Sequence, residues 1–129
     1  MVLIADDDRD IVRFVEVNLR LEGFEVITAH DGQDALTKAL ELQPNLILLD
    51  VMMPRMDGYE LTRALRSMVE YAEAPIVMVT SMGERIDRVR GFDAGVDEYI
   101  TKPHDRTQLV RVVRKLLGHG GGGGEEPTS

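Results

Sequence analysis

The sequence predicts an α/β fold, (βα)5, in which a doubly wound five-stranded parallel sheet carries helices on both faces. Three observations predict it. Short apolar runs such as Val2-Leu3-Ile4-Ala5, Leu46-Ile47-Leu48-Leu49 and Ile76-Val77-Met78-Val79 show no period-two alternation, which fits strands covered on both sides. The stretches between them carry apolar residues at three- and four-residue steps and run for helical lengths, and that alternation calls for parallel strands joined by helices. The right-handed crossover rule then leaves few topologies. Finally, the apolar runs end in acids, hydroxyls or a lysine rather than in random loop residues.

Taken in order, the run from Val2 ends at Asp6-Asp7-Asp8. Ile11, Phe14 or Val15, and Leu19 then stripe an amphipathic helix that stops at Gly23, with Asp8 and Asp10 read as its capping acids. Residues 25–29 form a weaker strand around Val26-Ile27. Asp31 reads as the N-cap of a second helix that carries Ala35, Leu36, Ala39 and Leu40 on one face. After Pro44 the third strand runs into Asp50, and Pro54 and Asp57-Gly58 break the chain into a loop. Leu61, Leu65 and Met68 mark a third helix. The fourth strand ends at Thr80-Ser81. The helix expected over residues 84–94 is weakened by Gly91, since a helical glycine costs ~1 kcal/mol relative to alanine; Gly95 ends it. Tyr99-Ile100-Thr101 is the fifth strand and meets Lys102-Pro103. Leu109, Val112, Val113, Leu116 and Leu117 stripe the closing helix. Residues 118–129, with five consecutive glycines, read as a flexible linker or tail beside a single domain over 1–117.

Composition narrows the function classes. A chain of 129 residues is long enough for one core without staples. It holds no cysteine, so neither a disulfide framework nor a thiolate metal site is available. No apolar run approaches the ~18 residues of a membrane span, and Asp6 interrupts the N-terminal apolar run too early for a signal peptide. The expectation is a cytoplasmic protein with no membrane contact. Lys and Arg total 15 against 23 Asp and Glu, a net charge of -8. A field of that sign repels nucleic acid, so these residues are not expected to bind DNA themselves.

Open α/β sheets place ligands at the carboxyl ends of their strands. Four of the five strand ends here carry matching chemistry: acids after the first and third, hydroxyls after the fourth, Lys102 after the fifth. Carboxylates ~4 Å apart repel by about 4 kcal/mol at an effective dielectric of 20. Either a proton or a cation must relieve that repulsion, and an all-oxygen site suits Mg²⁺. Lys102 adds a fixed positive charge, and Thr80 a hydrogen-bond donor. Such a pocket attracts a phosphoryl group. Asp50, projecting from the central strand, is the best placed nucleophile for an aspartyl phosphate. No glycine-rich phosphate cradle is present, so the donor brings its own phosphoryl group.

Over residues 1–117 the chain resembles the receiver domain of two-component response regulators. The resemblance rests on Asp6-Asp7, Asp50, the run Met53-Pro54-Arg55-Met56-Asp57-Gly58, Thr80, Tyr99 and Lys102-Pro103. It implies a flavodoxin-like strand order 2-1-3-4-5. It implies that Asp7, Asp50 and the Met52 carbonyl bind Mg²⁺, with Asp6 acting largely through water, and that the Lys102-Pro103 peptide is cis. The implied donor is the phosphohistidine of a sensor histidine kinase or phosphotransfer protein. The implied output is a change in the face built from the fourth helix, fifth strand and fifth helix, as Thr80 swings toward the phosphoryl group and Tyr99 turns inward. That face would serve an output domain beyond Ser129, or a homodimer.

Some positions depart from the family pattern. His104 stands where Phe is common, and Met82 where a small or polar residue is usual. Asp87-Arg88-Val89-Arg90-Gly91 is similar to the winged-helix transcription-factor branch, yet Gln108 and Val112 replace the acid and arginine that the branch pairs across its dimer.

Taken singly, Thr80 reads as a turn residue, Tyr99 as core, Asp57 as a turn acid beside Gly58, and His30 and His119 as solvated. Rival readings of the set are a Mg²⁺ phosphohydrolase, with Asp8-Arg9-Asp10 as its Asp-x-Asp motif, and a flavodoxin-type cofactor binder. A third is a receiver-like partner-binding module that is not phosphorylated. A small phosphodonor with Mg²⁺ separates them: a switch takes up one phosphoryl per chain and releases it slowly, a phosphatase turns over, and the others do neither.

Overall fold

The computed structural model describes residues 1–81, 88–102 and 106–118, and of Ser81, Arg88 and Lys102 the backbone alone. The expectations for Met82, the first residues of the fourth helix, the Lys102-Pro103 peptide, His104 and the tail from His119 lie outside the described residues.

The chain alternates strand and helix throughout. Its elements are β1 (Val2–Ala5), α1 (Arg9–Leu21), β2 (Val26–Ala29), α2 (Gly32–Leu42), β3 (Leu46–Asp50) and α3 (Gly58–Arg66), then a 3₁₀ turn (Val69–Tyr71), β4 (Ile76–Ser81), α4 (Arg88–Ala94), β5 (Glu98–Lys102) and α5 (Arg106–Leu117). All four pairings are parallel. The sheet order is β2-β1-β3-β4-β5, as the resemblance implied.

Alternate residues of each strand divide the core in two. Leu3, Ala5, Ile47, Leu49, Ile76 and Met78 face Ala35, Ala39, Tyr59, Leu61 and Leu65 of α2 and α3. Val2, Ile4, Leu46, Leu48, Val77, Val79 and Ile100 face Val12, Val15 and Leu19 of α1 and Leu109 and Val113 of α5. Every residue of β1 and β3 is buried, which is why neither strand could afford polar alternation. Burying one such Leu or Ile contributes ~1.5–3 kcal/mol.

Helix ends follow from local chemistry. Asp8 caps α1, its carboxylate accepting from the Asp10 and Ile11 amides at 3.0 and 3.4 Å. Asp31 caps α2 through the Asp34 amide at 2.7 Å. Both matched the sequence reading. Gly23 closes α1 at φ +92°, with its amide on the Arg20 carbonyl and that of Phe24 on Leu19, a left-handed stop that glycine adopts without strain.

The third helix is shorter than its apolar spacing suggested. It ends at Arg66, and Met68 is extended at φ -99°, ψ 137°. Arg66 explains the stop. Its guanidinium donates to the carbonyls of Tyr71 (2.7 Å), Ala74 (2.6 Å) and Gly95 (2.8 Å) and pairs with the Asp97 carboxylate (2.8 Å). These bonds pull the chain after α3 into the 3₁₀ turn and tie it to the entry of β5. Nearby, Tyr71 is buried and its hydroxyl donates to the Ala39 carbonyl of α2. Burial first, and then the Glu70 charge, push the Tyr71 hydroxyl pKa up.

Across the other face, Glu22 at the end of α1 accepts from both Arg114 and Arg106 of α5. The hydrogen bond from Arg114 is the largest cause, with that from Arg106 next, that holds the Glu22 carboxyl below its usual pKa. The fold therefore favours the ionised carboxylate. That stabilisation is complete above the unfolded value of about 4.3 and fades as pH falls through the lower folded value. In thermal unfolding, Glu22→Gln is expected to lower the Tm at pH 7, and the gap from the unmutated chain should close toward pH 3. A gap of equal size at both pH values would contradict this account.

Candidate functional site

Strand register sets the site. Ala5 pairs with Leu49, so Asp6 and Asp50 follow side by side at the carboxyl ends of β1 and β3. Asp50 pairs with Val79 and Thr80 with Thr101, which puts Thr80 one step beyond on the next strand. Ser81 and Lys102 are partners at the ends of β4 and β5. The strand ends picked out by the sequence thus lie along one edge of the sheet, and the crevice between β1 and β3 is the point where strand order reverses.

Carboxylate oxygens of Asp6, Asp7 and Asp50 all lie within 4.8 Å of one another. Asp6 and Asp50 are buried and Asp7 is exposed, so the cluster has a closed floor and an open mouth. Asp6 is anchored as well as buried. Its amide donates to the Ala29 carbonyl at 3.1 Å, and its Oδ1 accepts from the Asp8 amide at 2.9 Å. Three carboxylates this close repel one another by several kcal/mol at an effective dielectric of ~20. Oxygen donors without nitrogen or sulfur are the set that a hard divalent cation takes. Mg²⁺ fits that donor chemistry.

Asp8, although adjacent, is turned to the α1 amides and takes no part in the cluster. Asp57 likewise belongs to a helix. It caps α3, with its Oδ1 accepting from the Glu60 amide at 2.8 Å and its own amide donating to the Glu60 carboxylate at 3.0 Å, a reciprocal capping box. The Asp-x-Asp reading of Asp8 and Asp10 therefore loses its first acid to capping.

The loop after Asp50 is held from two sides. Val51 and Met53 are buried, whereas Met52 between them is 61% exposed. Gly58 donates its amide to the Val51 carbonyl at 2.9 Å, and a Cβ at Gly58 would come within 2.4 Å of the Asp50 carbonyl oxygen. On the other side a Cβ at Gly32 would meet the Met56 carbonyl oxygen at 2.1 Å. Only glycine permits both approaches. The loop is consequently clamped between the first turns of α2 and α3.

Thr80 is buried, 4% exposed, at the end of β4. Tyr99 on β5 is half-buried and meets Phe92 of α4 edge-on, with ring centroids 5.5 Å apart. Its hydroxyl lies 1.7 Å from where a Cβ of Gly91 would be. Gly91 therefore does more than weaken α4: it makes room for this tyrosine. Sequence reasoning missed one participant beside the site, Tyr59, which is buried at the first turn of α3 and meets Arg90 of α4; periodicity gives no signal for a contact between elements remote in sequence.

Residues 2–114 match the family model described as the response regulator receiver domain. The chain is 41% identical over 116 residues to the DNA-binding dual master transcriptional regulator RpaA of Synechocystis, which covers 90% of this chain and 48% of that protein. It is 40% identical over 116 residues to the transcriptional regulatory protein CpxR of Escherichia coli, covering 90% and 48%. It spans about half the length of these curated relatives. Among solved structures, a chemotaxis response regulator of Vibrio cholerae superposes with TM-score 0.84 at 33% identity, covering 89% of this chain and 96% of that one. The receiver domain of a sensor histidine kinase from Pseudomonas aeruginosa, described with a magnesium ion in its active-site cleft, superposes with TM-score 0.83 at 30% identity, covering 91% and 96%.

The glycine clamp on the loop gives a direct test. Gly58→Ala should cost about 1–3 kcal/mol, the usual penalty of an overpacked site, as read from the midpoint of urea unfolding. A midpoint unchanged from the parent chain would show that the loop yields without cost.

Proposed function

The chain belongs to the response regulator receiver domain family, and on that premise we propose that it is a phosphorylation-dependent signalling switch whose acceptor is Asp50. The observation that supports this most is the convergence of the Asp6, Asp7 and Asp50 carboxylates at the strand-order reversal. The donor is the phosphohistidine of a sensor histidine kinase or phosphotransfer protein. A carboxylate oxygen of Asp50 attacks phosphorus, the new O–P bond forms as the N–P bond breaks, and the electron pair leaves with the donor's imidazole nitrogen.

Asp6, Asp7, Asp50 and the Met52 carbonyl would hold Mg²⁺, Asp6 largely through water. When bound, the ion neutralises the clustered carboxylates and the incoming phosphoryl oxygens. The Thr80 hydroxyl donates to a phosphoryl oxygen, and the Lys102 ammonium balances the charge gained at Asp50. The buried floor around Asp6 and Asp50 limits water at the acceptor, which suits slow release of the phosphoryl group. This chemistry acts on the chain itself, with no external substrate turned over.

The output is a population shift in the face formed by α4, β5 and α5, linked to Asp50 through Thr80 and Tyr99. Relatives named as transcriptional regulators favour an output segment that acts on DNA, carried outside these residues. The chain, at a net charge of -8, repels the phosphate backbone. A homodimer through the same face is the form such an output takes most simply, although Gln108 and Val112 deprive it of one ion pair. Among the described residues no helix is long and apolar enough to cross a membrane, and a cytoplasmic site of action fits the kinase partner.

Labelling with a small phosphodonor such as acetyl phosphate, read by intact mass, tests the acceptor. The parent chain should gain one phosphoryl group in the presence of Mg²⁺ and none after chelation, and Asp50→Asn should stay at background. Stoichiometric labelling of Asp50→Asn would refute the assignment. Lys102→Ala is expected to retain partial labelling while losing the change in partner affinity. A parental affinity change in that variant would remove Lys102 from the response.

A further inference from the structure

We propose that Arg90 of α4 is a positioning residue that couples the phospho-acceptor loop to α4 by a second route, separate from Thr80 and Tyr99. The inference rests on the switch reading above and names a regulatory contact of the same site. Its basis is where one turn of α4 sits. The Arg90 guanidinium lies 4.5 Å from the centroid of the Tyr59 ring, and its Nη2 is 3.9 Å from Oδ2 of Asp57. Tyr59 is only 4% exposed, so the ring is a fixed seat. The next residue, Gly91, nests against both tyrosines: a Cβ there would meet the Tyr99 hydroxyl at 1.7 Å and Cε1 of Tyr59 at 3.3 Å.

What Arg90 touches is the first turn of α3, and that turn is continuous with the acceptor. Asp57 caps α3 through the Glu60 amide. Gly58, next in the chain, donates to the Val51 carbonyl and packs on the Asp50 carbonyl. A displacement of the loop that carries Asp50 must therefore move the Asp57 carboxylate and the Tyr59 ring together. Arg90 passes that movement to α4, whose outer side presents Val89 and Phe92, 71% and 52% exposed.

The geometry also says which property of arginine matters. At 3.9 Å, with both side chains partly exposed, the Asp57 contact is a weak ion pair. The ring contact is the one made to a buried partner, and a planar guanidinium stacks on it where an ammonium makes a poorer match. Coupling should thus follow the order Arg, then Lys, then an uncharged side chain of similar length.

The experiment compares the parent chain, Arg90→Lys and Arg90→Met, each labelled to completion with acetyl phosphate and Mg²⁺. Uptake is read by intact mass, and the displacement of the Val89 and Phe92 backbone amides is read by NMR before and after labelling. Arg90→Met should take up one phosphoryl group as the parent does, while its amide displacement falls roughly two-fold or more, the size expected when a coupling contact is lost. Arg90→Lys should fall between the two. A purely structural role would change the unlabelled spectra and the stability of the variants but leave the labelled-minus-unlabelled displacement intact. Full displacement in Arg90→Met would overturn this inference alone. A parent chain that takes up no phosphoryl group would overturn the switch reading, and this one with it.

Discussion

Three carboxylates whose oxygens approach within 4.8 Å of one another are a constraint that the rest of the molecule has to meet. Their mutual repulsion opposes folding, and two of the three lie out of solvent, so neither distance nor water relieves it. The sheet on either side supplies the opposing stabilisation. β1, which leads into Asp6, and β3, which ends in Asp50, are buried at every residue. Strands this apolar fix their own register, and register places the acids. The same burial that drives the fold thus creates a local electrostatic demand that a hard cation answers.

Precision at the acceptor then comes from backbone packing more than from side chains. Gly32 and Gly58 let the first turns of α2 and α3 close on the loop after Asp50. Both helices also carry an acidic N-cap beside that loop, Asp31 and Asp57. The loop is therefore bounded by helix ends whose caps are satisfied. The far end of the sheet is organised differently, by Arg66, which binds the carbonyls of Tyr71, Ala74 and Gly95, and by Tyr71, which ties its loop to the Ala39 carbonyl of α2.

The sequence was most legible where chemistry is local. Strands β1, β3 and β4, the caps at Asp8 and Asp31, and the grouping of Asp6, Asp7, Asp50 and Thr80 at one sheet edge all follow from runs, spacing and strand ends. The strand order itself came from family resemblance, since right-handed crossovers leave more than one arrangement. What stayed hidden depends on contacts between remote segments. Met68 fits the apolar stripe of α3, yet the chain leaves the helix at Arg66 because that side chain finds carbonyls in Tyr71, Ala74 and Gly95. Glu22 carries no local signal of its partners, because Arg106 and Arg114 reach it only when α5 packs beside α1.

Gly91 carries the most instructive difference. Helix propensity alone marks it as a defect costing ~1 kcal/mol relative to alanine. In the folded chain that position is the floor on which the Tyr99 hydroxyl rests, with Tyr59 close by. An alanine there would improve the isolated helix and evict the tyrosine, so local and tertiary preferences oppose each other at a single residue. Such conflicts are expected where function constrains a fold. Here the conflict falls where α4 meets the two aromatic rings that link it to β5 and to the acceptor loop. A helix that owes its seat to ring contacts on a glycine, rather than to its own propensity, has a position that small movements of those rings can change.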